Sequence, residues 1–286
     1  MAQMKKSILF TTFLFFVVCS INAQVDLPRV SPNATVSQTI GYTNISIVYC
    51  RPSVKEREIW GTLVPFGKVW RTGANEATTI QFTTDVLIEG NKVQAGRYSV
   101  FTIPEESEWT VILNKIDNQW GAFNYKETED LLRFKVKSCK GSFTEHLQFS
   151  FANITDSSAD LYLNWEKIQI SFIIEIDLIH LMHSKIKEAI ASQPGRWQVY
   201  AESADAEADY GVFMDEALQW INKSISLGGG YVAYYGKARL LFKQNKLKDA
   251  LIAIEKCREV GRADPKWDSF VSRADLLEKQ IKEKMK

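Results

Sequence analysis

From Thr35 to about Asp177, apolar and polar positions alternate in short runs. A period of two is what a strand shows when one face is buried and the other solvated. The runs predict strands at Val36–Ile40, Asn44–Cys50, Thr78–Thr83, Val86–Glu89, Arg97–Ile103, Trp109–Asn114, Leu131–Lys137, His146–Phe151, Asp160–Trp165 and Lys167–Ile176. In Leu131–Lys137 the inward face is Leu132, Phe134 and Val136, and Leu131, Arg133, Lys135 and Lys137 face out. Turn-forming clusters separate the runs, among them Glu89-Gly90-Asn91, Ala95-Gly96, Lys140-Gly141-Ser142 and Asp156-Ser157-Ser158. Many short strands with no helical pattern between them predict an antiparallel β-sandwich.

From about Ile179 the period lengthens to 3.6, and strong helix formers replace the β-branched clusters. The segment Asp215-Glu216-Ala217-Leu218-Gln219-Trp220 is echoed by Lys248-Asp249-Ala250-Leu251-Ile252-Ala253, thirty-three residues later. That period with paired helices is tetratricopeptide-like. The second unit places Tyr234, Ala238 and Leu241 on its first helix, Ala250, Ile254 and Cys257 on its second, and Pro265 after it. The first unit is looser, with Trp197 and Tyr200 preceding Ala217, and Gly228-Gly229-Gly230 joins the two. Trp267 to Lys284 is expected as a polar capping helix. Fewer than three repeats do not make a free-standing solenoid, so these helices should lean on the β part or on another chain. The expected fold class is α+β by domain: an antiparallel β-sandwich over 25–178, then an all-α helical-hairpin unit over 179–286.

The N-terminus adds an address. Lys5 and Lys6 precede an apolar run from Ile8 to Val18, and the small residue Ala23 follows. This is the layout of a secretory signal peptide over residues 1–24, cleaved near Ala23 or Gln24, which implies a periplasmic or extracellular protein. No other stretch is apolar for long enough to cross a bilayer; Ile168–Met182 is interrupted by Gln169, Glu175, Asp177 and His180.

Composition changes the picture little. With 45% hydrophobic and 24% charged residues the chain of 286 is ordinary globular protein. Without Lys5 and Lys6 the 35 basic residues fall to 33 against 34 acidic, so no basic field recruits nucleic acid. Residues 25–178 hold 15 basic and 19 acidic residues, and 179–286 hold 18 and 15, a mild opposition of sign. Beyond the leader, Cys50, Cys139 and Cys257 are an odd, scattered set; Cys50 and Cys139 are the pair that an oxidising compartment would permit to bond. His180 and His183 have helical spacing for two metal ligands, but no third ligand is evident, so no metal or cofactor is expected. The sequence contains no G-x-S-x-G, H-E-x-x-H, P-loop or dinucleotide fingerprint.

Candidate chemistry concentrates in the long connection Arg51–Thr78, which carries two Trp, three Arg and three Glu. Connections of this length and polarity often carry function. Arg71 and Glu76 flank the turn at Gly73 and are expected to face each other, with the Asn75 amide beside them. Trp70 offers a flat platform and Arg71 a fork for a carboxylate or phosphate; Lys68 and Trp120 complete the candidate ligand set of Trp70, Arg71, Asn75, Glu76, Lys68 and Trp120. Two readings stand side by side: a ligand site, or an ion pair that pins the loop while Trp60 and Trp70 plug one end of the sandwich. The cluster Trp120, Phe123 and Tyr125 is expected to close the core. Glu56, Glu58 and Glu76 share the loop with aromatics, as paired carboxylates of a hydrolase would.

Four segments carry a resemblance. They are Ile59-Trp-Gly-Thr-Leu-Val-Pro-Phe-Gly-Lys-Val-Trp-Arg-Thr-Gly-Ala-Asn-Glu-Ala-Thr78, Ala95-Gly-Arg-Tyr-Ser-Val-Phe-Thr-Ile-Pro104, Trp109-Thr-Val-Ile-Leu-Asn114 and Gln119-Trp-Gly-Ala-Phe-Asn-Tyr125. Together they resemble the domain of unknown function 2911, over roughly residues 28–177. The resemblance implies a secreted bacterial β domain, in some members followed by a helical tail, and implies no activity.

The functional expectation is an exported, non-catalytic binding or scaffolding module, with a small polar ligand at the loop and a protein partner in the helical groove. The alternative is a periplasmic hydrolase of a sugar or other small polar substrate, using Glu76 as acid or base and Arg71 as anion clamp.

Overall fold

The computed structural model describes residues 27–286, so the leader read in the sequence lies outside it. Nine strands come first: β1 (Asn33–Ile40), β2 (Thr43–Cys50), β3 (Thr78–Phe82), β4 (Val86–Ile88), β5 (Asn91–Val93), β6 (Gly96–Ile103), β7 (Glu108–Asn114), β8 (Asp130–Ala152) and β9 (Ser158–Glu175). They form one antiparallel sheet in the order β1-β2-β3-β6-β7-β8-β9-β4-β5. The sheet doubles back through β8, whose first part pairs with β7 up to Lys137 and whose second part pairs with β9 from Ser138. The inward residues of the two halves share one core, in which Ile47, Tyr49, Trp109 and Leu113 meet Leu147, Phe149, Leu161 and Trp165. Tyr49 ties the halves twice, packing edge-on against Phe149 at 4.9 Å and accepting the Phe149 amide on its hydroxyl at 3.2 Å.

Two predicted breaks are absent. Leu131–Lys137 and His146–Phe151 belong to one strand, as do Asp160–Trp165 and Lys167–Ile176. The Gly141 turn signal serves irregularities in the ladder instead: the register shifts between Lys140 and Thr144 and again between Thr144 and Gln148, opposite Glu166 at φ 54°. Extra residues absorbed this way bend a strand without ending it, which is what a strand crossing between two sheet halves requires. The three-residue β5 was too short for its period to show.

Six helices follow: α1 (Leu178–Ser192), α2 (Trp197–Tyr210), α3 (Met214–Ser226), α4 (Gly230–Lys243), α5 (Leu247–Gly261) and α6 (Val271–Lys284). Asp177 caps α1 by accepting the His180 amide at 3.2 Å. Leu178 and Leu181 of α1 pack on the β core. Ala217 of α3 and Ala250 of α5, the small residues of the echo, are both fully buried among helices. Arg239 of α4 bridges to Asp205 and Asp209 of α2 at 2.9 and 2.8 Å, stitching one helix pair to the next. The last helix starts later than expected. Trp267 sits in a 3₁₀ turn (Trp267–Ser269), because its ring lies against Gly261 at the end of α5. No helix among the described residues is long and apolar enough to cross a membrane.

Candidate functional site

The β2–β3 connection is anchored to both halves of the sheet. Its first arm joins β8 through Val54 N–H to Glu145 O at 2.8 Å and Leu147 N–H to Pro52 O at 3.0 Å. Its second arm joins β6 through reciprocal bonds of Trp70 and Thr102 at 2.8 and 2.9 Å. Between the arms, Trp60 and Trp70 pack with Trp109 of β7 and Trp165 of β9 at centroid distances between 4.8 and 6.3 Å. The Trp60 and Trp70 rings thus plug the end of the sandwich. Trp70 Nε1 donates to Gly73 O at 3.1 Å, which holds the following turn against the plug.

Beside the plug opens a cleft of about 430 Å³, lined among others by Val30, Ser31, Trp70 and Trp165. Its charged lining residues are Lys55, Arg57 and Arg71, and no carboxylate among the described residues lines it. Arg57 is fixed by donating from Nε to Val54 O at 3.0 Å and from Nη2 to Ser53 O at 2.5 Å. Arg71 is different: its Nε is buried and has no hydrogen-bond partner among the described residues. Burial pushes the Arg71 guanidinium below its ordinary value, and no carboxylate opposes that.

Arg71 and Glu76 do not face each other, contrary to the expectation from their spacing. Thr72 (φ 54°) and Asn75 (φ 57°) both take left-handed backbone between them, and a β-branched residue there is a genuine outlier. Two bonds hold this turn, Thr78 N–H to Arg71 O at 3.1 Å and Thr78 Oγ1 to Thr72 O at 2.7 Å. After the turn the chain follows the 115–126 loop, with Ala77 N–H donating to Gln119 O and Gly121 N–H to Asn75 O, each at 2.9 Å. Glu76 therefore emerges on the other side of the ridge, where its carboxylate accepts from Arg29 at 2.7 Å and from the Cys50 thiol at 3.4 Å. The Arg29 hydrogen bond holds the Glu76 carboxyl below the usual carboxylate range. Glu76 lines a separate, smaller cavity of about 210 Å³ with Asn33, Cys50, Arg97, Asp117 and Gln119.

The other candidates divide as follows. Asn75 lines the Arg71 cleft and donates from Nδ2 to Ser31 O at 3.3 Å. Lys68 is exposed after the Gly67 turn and lines neither cavity. Trp120 also lines neither cavity, and it does not close the core: it is 58% exposed and Phe123 82%. The small core under that loop is filled by Ala77, Phe101 and Ile112 with Ala122 and Tyr125, which leaves no room for the other two rings. Glu56 and Glu58 are exposed and line neither cavity, so no carboxylate pair forms with Glu76 there.

Cys50, Cys139 and Cys257 are free thiols, so the Cys50–Cys139 bond is not made. Burial pushes the Cys50 thiol upward, and its Sγ lies 2.7 Å from Asn33 Oδ1. His180 and His183 do not converge on a metal: His180 turns to Asp177, while His183 Nδ1 lies 2.7 Å from Glu207 and Nε2 3.3 Å from Glu216. No grouping of three metal-ligating side chains occurs among the described residues.

Sequence reasoning missed Lys55 and Arg57 as cleft residues, Arg29 as the partner of Glu76, and Trp165 as a wall. It also missed Ser53, whose Oγ lies 3.0 Å from His146 Nδ1 in the seam between loop and β8. The loop's density of Arg was a usable signal for the first two. Nothing local in the sequence links β9 or Arg29 to the loop.

A family profile described as protein of unknown function (DUF2911) matches residues 31–174. The chain belongs to this family. The match covers 144 of 286 residues, from β1 through β9, and takes in every residue lining the Arg71 cleft except Val30. Its end falls before α1, so the helices lie outside it. No curated protein and no solved structure matches the chain.

Proposed function

We propose that the chain is an exported, non-catalytic binding module whose ligand seat is the cleft at Trp70, Arg71 and Asn75. One observation carries the reading: a guanidinium N–H is buried at the cleft with no acceptor among the described residues. An unsatisfied buried donor costs folding stability, and side chains kept at such a cost are typical of binding sites. In this reading residues 25–178 are the ligand domain and 179–286 a helical domain for a protein partner. Support for the partner is the face of α3, α4 and α5, where Leu218, Tyr234 and Ile252 line a groove beside Lys237 and Lys256. Export rests on Lys5, Lys6, the Ile8–Val18 run and Ala23; N-terminal sequencing of the secreted protein checks it.

The hydrolase reading is less favoured. A general acid or base working with Arg71 has to share its cavity and titrate near neutrality. Glu76 lines the other cavity and its carboxyl is held low by Arg29.

Urea unfolding of Arg71→Met tests the seat. The expected result is a gain of about 0.5–2 kcal/mol, as when a functional polar group is replaced by an apolar one of similar length. A loss of about 2 kcal/mol or more makes Arg71 a structural pin and removes the reading.

A further inference from the structure

Resting on that seat, we infer that its ligand is a small organic oxyanion, a carboxylate or a phosphate monoester, attached to an apolar body. Six buried side-chain polar atoms lack a partner among the described residues, and three of them lie together here: Arg71 Nε, Trp165 Nε1 and Trp60 Nε1. All three are N–H donors. Arg71 and Trp165 line the cleft itself, and Trp60 packs on Trp165 at 5.7 Å. The shortage at this site is one of acceptors, which an anion's oxygens supply in excess.

Charge points the same way. Lys55, Arg57 and Arg71 give the lining three cations and, among the described residues, no carboxylate, the nearest one shown being Glu145, whose Oε1 accepts the Lys55 amide at 3.0 Å. The smaller cavity nearby shows what a balanced site looks like, for there Arg97 is 3.7 Å from Asp117 and Glu76 is paired with Arg29. A neutral sugar suits the cleft less well than an anion, because it leaves the three lining cations without a counter-charge. Ser53 is engaged with His146 and the Asn75 amide donates to Ser31 O, so the Ser31 hydroxyl and Asn75 Oδ1 are the lining side-chain acceptors without a partner among the described residues.

Val30, Leu63, Val64, Trp70 and Trp165 form the rest of the wall, and the last two rings lie within 17° of parallel. That wall cannot satisfy a bare inorganic ion, and about 430 Å³ falls in the range of small-molecule pockets. The ligand is therefore headed by the anion and carries an apolar or ring portion over the Trp plug.

The test uses the protein from Val25 onward and four probes at millimolar concentration: phenylacetate, phenyl phosphate, phenylacetamide and inorganic phosphate. Trp70 and Trp165 report binding through fluorescence, and thermal melting gives a second readout. Phenylacetate or phenyl phosphate should bind at least ten times more tightly than phenylacetamide and than inorganic phosphate, and weaken as salt is added. The stronger of the two identifies the head group as carboxylate or phosphate. Arg71→Met should remove that preference, and Lys55→Gln, at an exposed position that leaves folding alone, should weaken the anion several-fold. Phenylacetamide binding as tightly as phenylacetate overturns the anion while leaving the seat in place. No response to any of the four also overturns it, and the urea result for Arg71→Met then decides the seat separately.

Discussion

Glu76 turns its carboxylate to Arg29 at 2.7 Å, while Arg71, five residues earlier, keeps a buried Nε without an acceptor among the described residues. The two residues share no hydrogen bond, so Arg71→Met and Glu76→Gln should have additive effects on stability, within about 0.5 kcal/mol. Arg29→Ala and Glu76→Gln should be non-additive, and salt should erase the coupling because both side chains are nearly half exposed. Urea denaturation of the three single and two double variants measures both. A strong Arg71–Glu76 coupling would mean that the loop closes on itself in solution.

The same pair sets a pH dependence. The folded Glu76 carboxyl titrates below its ordinary value, so it binds fewer protons in the folded chain than in the unfolded one. Its contribution is fully present above roughly pH 4.3, the ordinary value of a glutamate. It is lost as pH falls through the lower folded value. Glu76→Gln should therefore be less stable than the parent at neutral pH, and the difference should vanish in acid. A difference that grew on acidification would show that the pairing with Arg29 is not what holds this carboxyl.

Much of this fold was legible because burial on one face writes itself into the sequence at period two. β8 buries Phe134 and Val136 and exposes Arg133 and Lys135, as its alternation requires. Its length was not legible, because a Gly-containing cluster such as Lys140-Gly141-Ser142 serves a bulge as readily as a turn. The loop announced itself by composition, and three of the six candidate residues, Trp70, Arg71 and Asn75, do line one cleft. Spacing alone could not orient Arg71 and Glu76. Their directions depend on left-handed backbone at Thr72 and Asn75 and on Arg29, forty-seven residues from Glu76.

Gly261 offers a test of the helical part. A Cβ placed there would lie 2.1 Å from Cε3 of Trp267, inside the ring's own volume. The ring is 8% exposed and packs with Tyr231 and Phe270, so it has little freedom to withdraw. Gly261→Ala should cost about 1–3 kcal/mol, the usual penalty of overpacking. Near-ultraviolet circular dichroism should show a changed tryptophan environment, whereas a silent substitution would mean that the α5–α6 junction is loosely packed.

The thiols should separate by exposure. Cys139 is exposed on β8, Cys50 is buried, and burial pushes the Cys257 thiol up to about 12. Since the thiolate is the reactive form, a thiol reagent at neutral pH should modify Cys139 quickly and the other two only on unfolding. For the chain from Val25, titration should give one equivalent in the folded state and three in denaturant. Fewer than three under non-reducing conditions would reveal a disulfide between the cysteines.

His183 of α1 joins α2 and α3 through its two ring nitrogens. It is stacked on Phe213 at 3.9 Å, with Glu207 on Nδ1 and Glu216 on Nε2. Glu207 has no exposed surface, and its second oxygen has no partner among the described residues. His183→Ala removes the contact that serves this carboxyl and opens space beneath the Phe213 ring. Leaving a buried polar group without its partner typically costs about 1–3 kcal/mol. Glu207→Gln keeps a hydrogen-bonding group of the same shape beside the imidazole, so it should cost less. Thermal unfolding of the two variants checks the order. If His183→Ala proved the milder substitution, the packing of α1 against α2 and α3 would rest on the apolar contacts of Ile186 and Trp220 instead.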